Sequence, residues 1–461
     1  MKLLNVLLVT YSFPPAGGVG VLRAASLARY FPAEGIRLDV LTTRNASAVG
    51  ADSAPLKDIP TEVSIHRTVT LDLPFGIKKR IKKLITGRRY SVDTTTVAAA
   101  ADKKTNLLKR VLQDVLLPDP QVTWLPVLTR VACSIIGRRK IDLVLITVPP
   151  FSSVLLVERL RAQFPQLPIV VDFRDEWLST TINLVSFSRS GHAQEVARSA
   201  EASAVTNATA IVAVTEAARR EMCARYPQMA ASKFHLIPNG FDAAKLDSLA
   251  RQAKSSAGRQ DNRILVTYVG SIYGSTEPTS LVQALRSLPD EVKFRFKLRF
   301  IGHIEEPRFR DALLQLGDMV ELKSFLPQDE ALAAMNEADY ALLITHDPLN
   351  VAAKFYDYIG AGMPILAAVH PGGEVRRMLE ELRAGWWVGS RDIEGIRQLF
   401  IEAAARGSAL RNEFHPDALK IAQYERKVLA QRYARLLHSI AVESHEDDLQ
   451  LHTAQSAGTG E

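Results

Sequence analysis

Pro168-Ile169-Val170-Val171-Asp172-Phe173-Arg174-Asp175-Glu176-Trp177 is the stretch on which the fold turns. Its apolar part is too short for a helix and does not alternate with polar residues. That is the pattern of a parallel strand covered by helices on both faces. Its end is unlike its beginning: three carboxylates, one guanidinium and an indole crowd together. Open parallel sheets bind ligands beyond the carboxyl ends of their strands, so a charged group placed there is a candidate site. Arg174 would pair with phosphate bidentately, held in place by Asp172 or Asp175.

The same pattern extends in both directions. Upstream, strands are expected at Val6–Thr10, Arg37–Thr42 and Asp142–Thr147, with helices at Val19–Phe31, Gln121–Gly137 and Ser152–Phe164. Downstream come a helix at Ala193–Thr206, a strand at Ala210–Val214, a helix at Glu216–Arg225 and a short strand at Phe234–Ile237. A polar stretch, Asp247–Asn262, interrupts the alternation and reads as a boundary. A second series then runs through Ile264–Val269, Lys297–Ile301, Met319–Lys323, Tyr340–Ile344, Pro364–Ala368 and Trp386–Val388, and a last helix is expected at Pro416–His438. The predicted organisation is α/β with two Rossmann-like domains. The first spans 1–245, with a basic insertion at about 70–120, and a linker occupies 246–262. The second domain spans 263–415, a helix at 416–440 returns to the first domain, and 441–461 is a disordered tail.

Bulk properties agree. The 461 residues suit two domains of about 200 residues each, and 47% are hydrophobic, enough for two cores. Cys133 and Cys223 are the only cysteines, without partners at metal-ligand spacing, so a disulfide framework is not expected. The N-terminal apolar run is broken by Asn5 and followed by Pro14-Pro15, which favours a first strand over a signal peptide. No run approaches the ~20 apolar residues of a spanning helix. The expectation is a cytoplasmic protein, peripheral on the inner membrane face at most. The net charge of +7 is uneven: Lys78–Arg89 holds seven basic residues among aliphatics. Such a segment suits an anionic membrane surface or a solvated loop. Without interleaved aromatics or a nucleic-acid motif, no nucleic acid partner is expected.

The remaining loops after strands carry the rest of the chemistry. Ser12-Phe13-Pro14-Pro15-Ala16-Gly17-Gly18-Val19-Gly20 follows the first strand, and Gly17 and Gly18 let the backbone approach an anion at a helix N-terminus. It is no dinucleotide fingerprint, since a third glycine and a ribose-binding acid are missing. Pro238-Asn239-Gly240-Phe241-Asp242 is a turn whose interest lies in its place before the boundary. Gly270 and Ser271 open the second series with another strand-to-glycine turn. Finally Lys354, Asp357 and Tyr358 stand at i, i+3 and i+4, predicting one helix face. Lys354 would neutralise phosphate and Asp357 would accept from sugar hydroxyls.

As an ordered set these segments resemble the retaining family 4 glycosyltransferases of the GT-B fold. The resemblance rests on Pro14-Pro15-x-Gly-Gly, Val171–Trp177, Ala210–Glu216, Ile237–Asp242 and Lys354-x-x-Asp357-Tyr358-x-x-x-Gly362-x-Pro364. It implies two facing Rossmann-like domains with a C-terminal helix crossing back to the first. It also implies a nucleotide-diphosphate sugar as co-substrate held mainly by the second domain, and a saccharide or polyprenyl-linked acceptor held mainly by the first. The family usually needs no metal, and no Asp-x-Asp triplet occurs here. Arg174 and Lys354 would then stabilise the departing diphosphate, with Asp172 or Asp175 orienting Arg174 or meeting the acceptor. Gly17, Gly18, Asn239, Gly270, Ser271, Lys354, Asp357 and Tyr358 would line the nucleotide site.

The chain also departs from the family. Many relatives carry two acids in the last motif, where Leu349 stands at the first position. Many carry an Arg and a Lys after the first strand of the second domain, where this loop has Ser271 and Glu277. Many have a His in the first domain near the place of Arg174. The expected function is hexosyl transfer in surface polysaccharide or glycolipid biosynthesis. The alternatives are a nucleotide-sugar 2-epimerase, for which His303 and His346 are the available histidines, and a non-catalytic sugar-nucleotide-binding partner in a membrane assembly.

Overall fold

The computed structural model describes residues 3–46, 52–70, 116–179, 191–254 and 262–457. The basic run at 78–89, and most of the expected insertion around it, lies outside the described residues.

The chain forms two units. The first runs to Pro238 and resumes at Leu429. Its sheet contains β1 (Leu4–Thr10), β2 (Ile36–Thr43), β3 (Ser64–Thr68), β4 (Leu143–Val148), β5 (Ile169–Phe173), β6 (Ala210–Ala213) and β7 (Phe234–Leu236), all parallel, in the order β3-β2-β1-β4-β5-β6-β7. The second unit covers Asn239–Val428. Its sheet contains β8 (Ile264–Val269), β9 (Phe296–Ile301), β10 (Val320–Lys323), β11 (Tyr340–Thr345), β12 (Ile365–Val369) and β13 (Gly385–Gly389), again parallel, in the order β10-β9-β8-β11-β12-β13. In each sheet the order reverses beside the first strand, between β1 and β4 and between β8 and β11. Those reversals are where a crevice opens at the carboxyl edge of a doubly wound sheet.

The apolar runs form these strands because both faces are buried. Along β1, Leu4, Val6 and Leu8 enter one core while Leu7 and Val9 enter the core on the opposite face. The second sheet repeats this: Val266 and Tyr268 of β8 lie in one core and Leu265 in the other. Each such side chain, once fully buried, contributes about 1.5–3 kcal/mol over leaving it exposed. The C-terminal helix, Arg426–Ala457, closes the first unit. Leu429, Tyr433, Leu437 and Ile440 recur at helical spacing and join the core that holds Leu4, Val6 and Leu8.

Three expected boundaries move. The first unit ends at Pro238 rather than 245, and the expected linker begins inside a helix, Ala243–Lys254, of the second unit. The reason is packing: Leu246 is buried in a second-unit core together with Phe241. The second unit extends past 415 to Val428, carrying two short helical turns, Ser408–Asn412 and Ala418–Ala422. The helix expected to stop at 440 continues to Ala457, through residues expected as a disordered tail. β3 falls in a segment read as irregular.

Candidate functional site

In the first unit the glycine loop and Arg174 come together. Gly18 caps the helix Val19–Tyr30 with φ +105°, a conformation open to glycine. Against the first turn of that helix lies the Arg174 guanidinium. A Cβ at Gly20 would stand 3.1 Å from Arg174 Nη1. Arg174 donates through Nε to the Val148 carbonyl (3.2 Å), and through its terminal nitrogens to the Pro149 and Gly20 carbonyls. It therefore braces the exit of β4 against the glycine loop. Burial lowers its pKa from the ordinary arginine value, against the opposing pull of Asp175 and Asp172. Asp175 is exposed beside it.

Asp172 does not do what its position suggested. It is fully buried and bound to Arg23, which donates Nε to Oδ2 and Nη2 to Oδ1, both at 2.9 Å. The Tyr433 hydroxyl donates to the same Oδ1 at 2.6 Å. Arg23 also donates to the Ile237 and Pro238 carbonyls, each at 2.7 Å. Burial would lower the pKa of this guanidinium, but Asp172 and Tyr433 outweigh it and hold the group above its ordinary value. Asp172 is thus consumed in joining the glycine-loop helix, β5, the end of the first segment and the C-terminal helix. A carboxylate enclosed this way neither orients Arg174 by a direct bond nor reaches an acceptor. Sequence reasoning missed Arg23. It also missed Arg67 on β3, which donates to the Pro14 carbonyl of the glycine loop; burial and neighbouring Arg44 lower its pKa.

In the second unit the cluster forms at the carboxyl ends of β8 and β11. β11 leads into the helix Ala353–Gly360, which places Lys354 in its first turn. The Lys354 ammonium lies 3.6 Å from the centroid of the Tyr268 ring. Gly270 makes room for it: at φ +120° this residue has no side chain, and a Cβ would lie 3.0 Å from both Lys354 Cε and Nζ. Among the described residues no carboxylate pairs with Lys354, and burial pushes it down to about 7. Ser271 is exposed in the same loop and accepts from the Tyr268 hydroxyl through its carbonyl at 3.0 Å.

Asp357 and Tyr358 separate from Lys354 in role. Tyr358 is fully buried, and its hydroxyl accepts from the Val269 amide at 2.9 Å. It anchors the end of β8, and the hydroxyl expected at the nucleotide site is engaged by the backbone. Asp357 is pushed up to about 6 by burial, with Arg426 and Lys245 pulling it down and Asp242 pushing it up. Asp357 thus faces the Asp242, Lys245 and Arg426 group while Lys354 lies against Tyr268 and Gly270, and the expected shared face divides. Asn239 begins the turn on the Asp242 side, where Arg426 donates to the Gly240 carbonyl at 2.9 Å. Of the two histidines, His303 is exposed, while His346 is fixed between the Ser390 hydroxyl (2.9 Å) and the Glu277 carbonyl (3.2 Å). Among the described residues no group of three or more His, Cys, Asp or Glu side chains could hold a metal ion, and no helix is long and apolar enough to cross a membrane.

Two parallel sheets of this order, each with its cluster at the carboxyl edge, define the GT-B class of glycosyltransferase folds. Solved structures of that class align over nearly the whole chain. HepE of Anabaena, in complex with UDP and glucose, is 14% identical with a TM-score of 0.60, covering 95% of this chain and 100% of its own. WaaG, a glycosyltransferase involved in lipopolysaccharide biosynthesis, is 16% identical with a TM-score of 0.53, covering 95% and 98%. Residues 16–245 match the family model described as Glycosyltransferase Family 4, so the resemblance drawn from the motifs holds and this segment is a domain of that family. The colanic acid biosynthesis glycosyltransferase WcaL of Escherichia coli strain K12 is 28% identical over 125 residues, 25% of this chain. The chain spans about 30% of the length of that curated relative.

Proposed function

We propose that the chain transfers a sugar, with retention, from a nucleotide-diphosphate donor to a saccharide or lipid-linked saccharide, in the assembly of a surface polysaccharide or glycolipid. The family match supports glycosyl transfer. The observation that carries the donor assignment is Lys354: a half-buried ammonium, tight against Gly270 and without a carboxylate among the described residues, at the reversal between β8 and β11. Such a cation lacks a counter-ion until an anion arrives. A diphosphate supplies one and restores the proton that burial removes. As the sugar–phosphate bond breaks, charge grows on the departing diphosphate, and a fixed ammonium in a poorly solvated site stabilises that charge more than the ground state. Asp357, raised to about 6 by burial and still mostly ionised at neutral pH, is suited to accept from ribose or donor-sugar hydroxyls. The glycine loop of the first unit, braced by Arg174 and flanked by Arg67, is assigned to the acceptor. This reading uses no metal ion.

UDP, the nucleotide held by HepE, is the first to test. Titration calorimetry with UDP, GDP and ADP should find one that binds the wild type, and Lys354→Met should bind it at least about tenfold more weakly. Turnover of the matching nucleotide sugar over a saccharide panel, with the product anomer read by NMR, tests transfer and retention. Equal binding by wild type and Lys354→Met would remove Lys354 from the donor site. Inverted product would remove retention.

A further inference from the structure

The second unit contains a cavity of about 500 Å³ that the donor assignment leaves unused. Its wall includes Glu277, Thr279, Ser280, Arg308, Phe309 and Arg391. Lys354 and Asp357 are not among its lining residues. Glu277–Ser280 follow β8, Arg308 follows β9 and Arg391 follows β13, so the cavity opens at the carboxyl edge of the same sheet.

Its charges are not balanced internally. The single carboxylate is engaged elsewhere. Glu277 Oε2 accepts from the Thr279 amide at 3.0 Å and from the Thr279 hydroxyl, and Oε1 lies 3.5 Å from His346 Nε2. Arg308 pairs through Nε with Glu306 at 2.5 Å and stacks over the Phe309 ring at 4.8 Å. Arg391 makes no hydrogen bond or ion pair among the described residues. Two guanidiniums therefore face a cavity whose one acid is committed to a neighbouring histidine and a helix start.

We infer that this cavity is a second sugar site, taking a saccharide that bears an anionic group, carboxylate or phosphate. The guanidiniums would bind the anion, with planar forks that match either geometry. The Ser280 hydroxyl would meet sugar hydroxyls. The volume is larger than a bare phosphate needs and falls in the range of small-molecule sites. The inference rests on the glycosyl-transfer reading for taking the ligand to be a saccharide, and it narrows that reading to an acidic sugar substrate.

The test uses the full chain and a variant carrying both Arg308→Ala and Arg391→Ala. Both positions are exposed, so the variant should fold. Glucose, glucuronate, glucose 6-phosphate and inorganic phosphate are titrated into each protein by ligand-observed NMR. The wild type should bind one anionic sugar about tenfold or more tightly than glucose, the effect of one charge-assisted hydrogen bond or better. Which of the two binds identifies the anion. The double variant should lose that preference. Equal affinity of the wild type for glucose and both anionic sugars overturns the inference, as does a preference that survives in the variant. Inorganic phosphate binding as tightly as glucose 6-phosphate also overturns it, since the sugar would then add nothing. A parallel titration separates the two readings. UDP, or whichever diphosphate binds the wild type, should bind the variant unchanged, whereas failure of all diphosphates on the wild type strikes the donor assignment.

Discussion

The Lys354 ammonium should make donor binding pH-dependent in a range where most proteins show little change. Burial holds its pKa near 7 in the free protein. A bound diphosphate supplies the missing counter-charge and raises that value, so binding takes up a proton whenever the free amine is neutral. At pH 7 about half the molecules carry the charge, and at pH 8.5 about 3% do. If the bound form stays protonated throughout, affinity falls ~16-fold over that interval, or ~1.6 kcal/mol. A nucleotide sugar is the right probe, because its diphosphate does not titrate there. Calorimetry gives two independent readings: the affinity itself, and the heat in buffers of different ionisation enthalpy, which should report uptake of about one proton at pH 8.5. Lys354→Met should bind more weakly at pH 7 and show neither effect. A wild-type affinity constant between pH 7 and 8.5, with no buffer-dependent heat, would refute the claim that this lysine is discharged before the donor arrives.

Other consequences are as direct. Arg23→Met leaves the fully buried Asp172 without its ion pair, and about 3–5 kcal/mol of stability should be lost, read as a lower urea midpoint. The combined Arg23→Met and Asp172→Asn variant should lose less than the two single changes added together, because it leaves no uncompensated charge. Gly270→Ala places a methyl 3.0 Å from the Lys354 ammonium at φ +120°, so diphosphate affinity should drop about tenfold in calorimetry, with some loss of melting temperature. Glu201 is raised to about 7, first by burial and then by Glu176, despite Arg225. A carboxyl raised above its unfolded value near 4.5 contributes stability that is complete below that value and is lost as pH rises through 7. Glu201→Gln should therefore gain in melting temperature relative to wild type between pH 4.5 and 7. A constant difference would show that Glu201 does not titrate there.

What could be read from the sequence, and what could not, follows from how burial is written into a chain. Central parallel strands are covered on both faces, so β1, β4, β5, β8 and β11 appear as continuous apolar runs that fix the fold class. An edge strand has no such signature. β3, Ser64-Ile65-His66-Arg67-Thr68, is mostly half-buried and polar, and with it Arg67 was lost from the site. The boundary was misplaced for a related reason. The helix Ala243–Lys254 is rich in polar residues in sequence, and among its described side chains Leu246 is the buried one, at 3% exposure. Its attachment is instead recorded at Gly360, where a Cβ would stand 2.3 Å from Phe241 Cγ. That is a pairing across more than a hundred residues, which no local pattern reports.

The site shows the same limit in a sharper form. Helical spacing placed Lys354, Asp357 and Tyr358 near one another, and for Lys354 and Tyr358 it was sound, since both reach β8. It failed for Asp357 because three residues on a helix subtend an arc wide enough to meet two different neighbourhoods, here β8 and the Asp242–Lys245–Arg426 group. Asp172 and Arg174 reverse the lesson. Both stand at the end of β5, and spacing cannot say which is enclosed. The answer lies in Arg23, 149 positions away, and in Tyr433, 261 away, which between them occupy the aspartate. A strand end tells where chemistry is to be sought. Whether a given charge there is free to act depends on partners from distant segments, and a buried arginine such as Arg23 looks, in sequence, like any other on a helix.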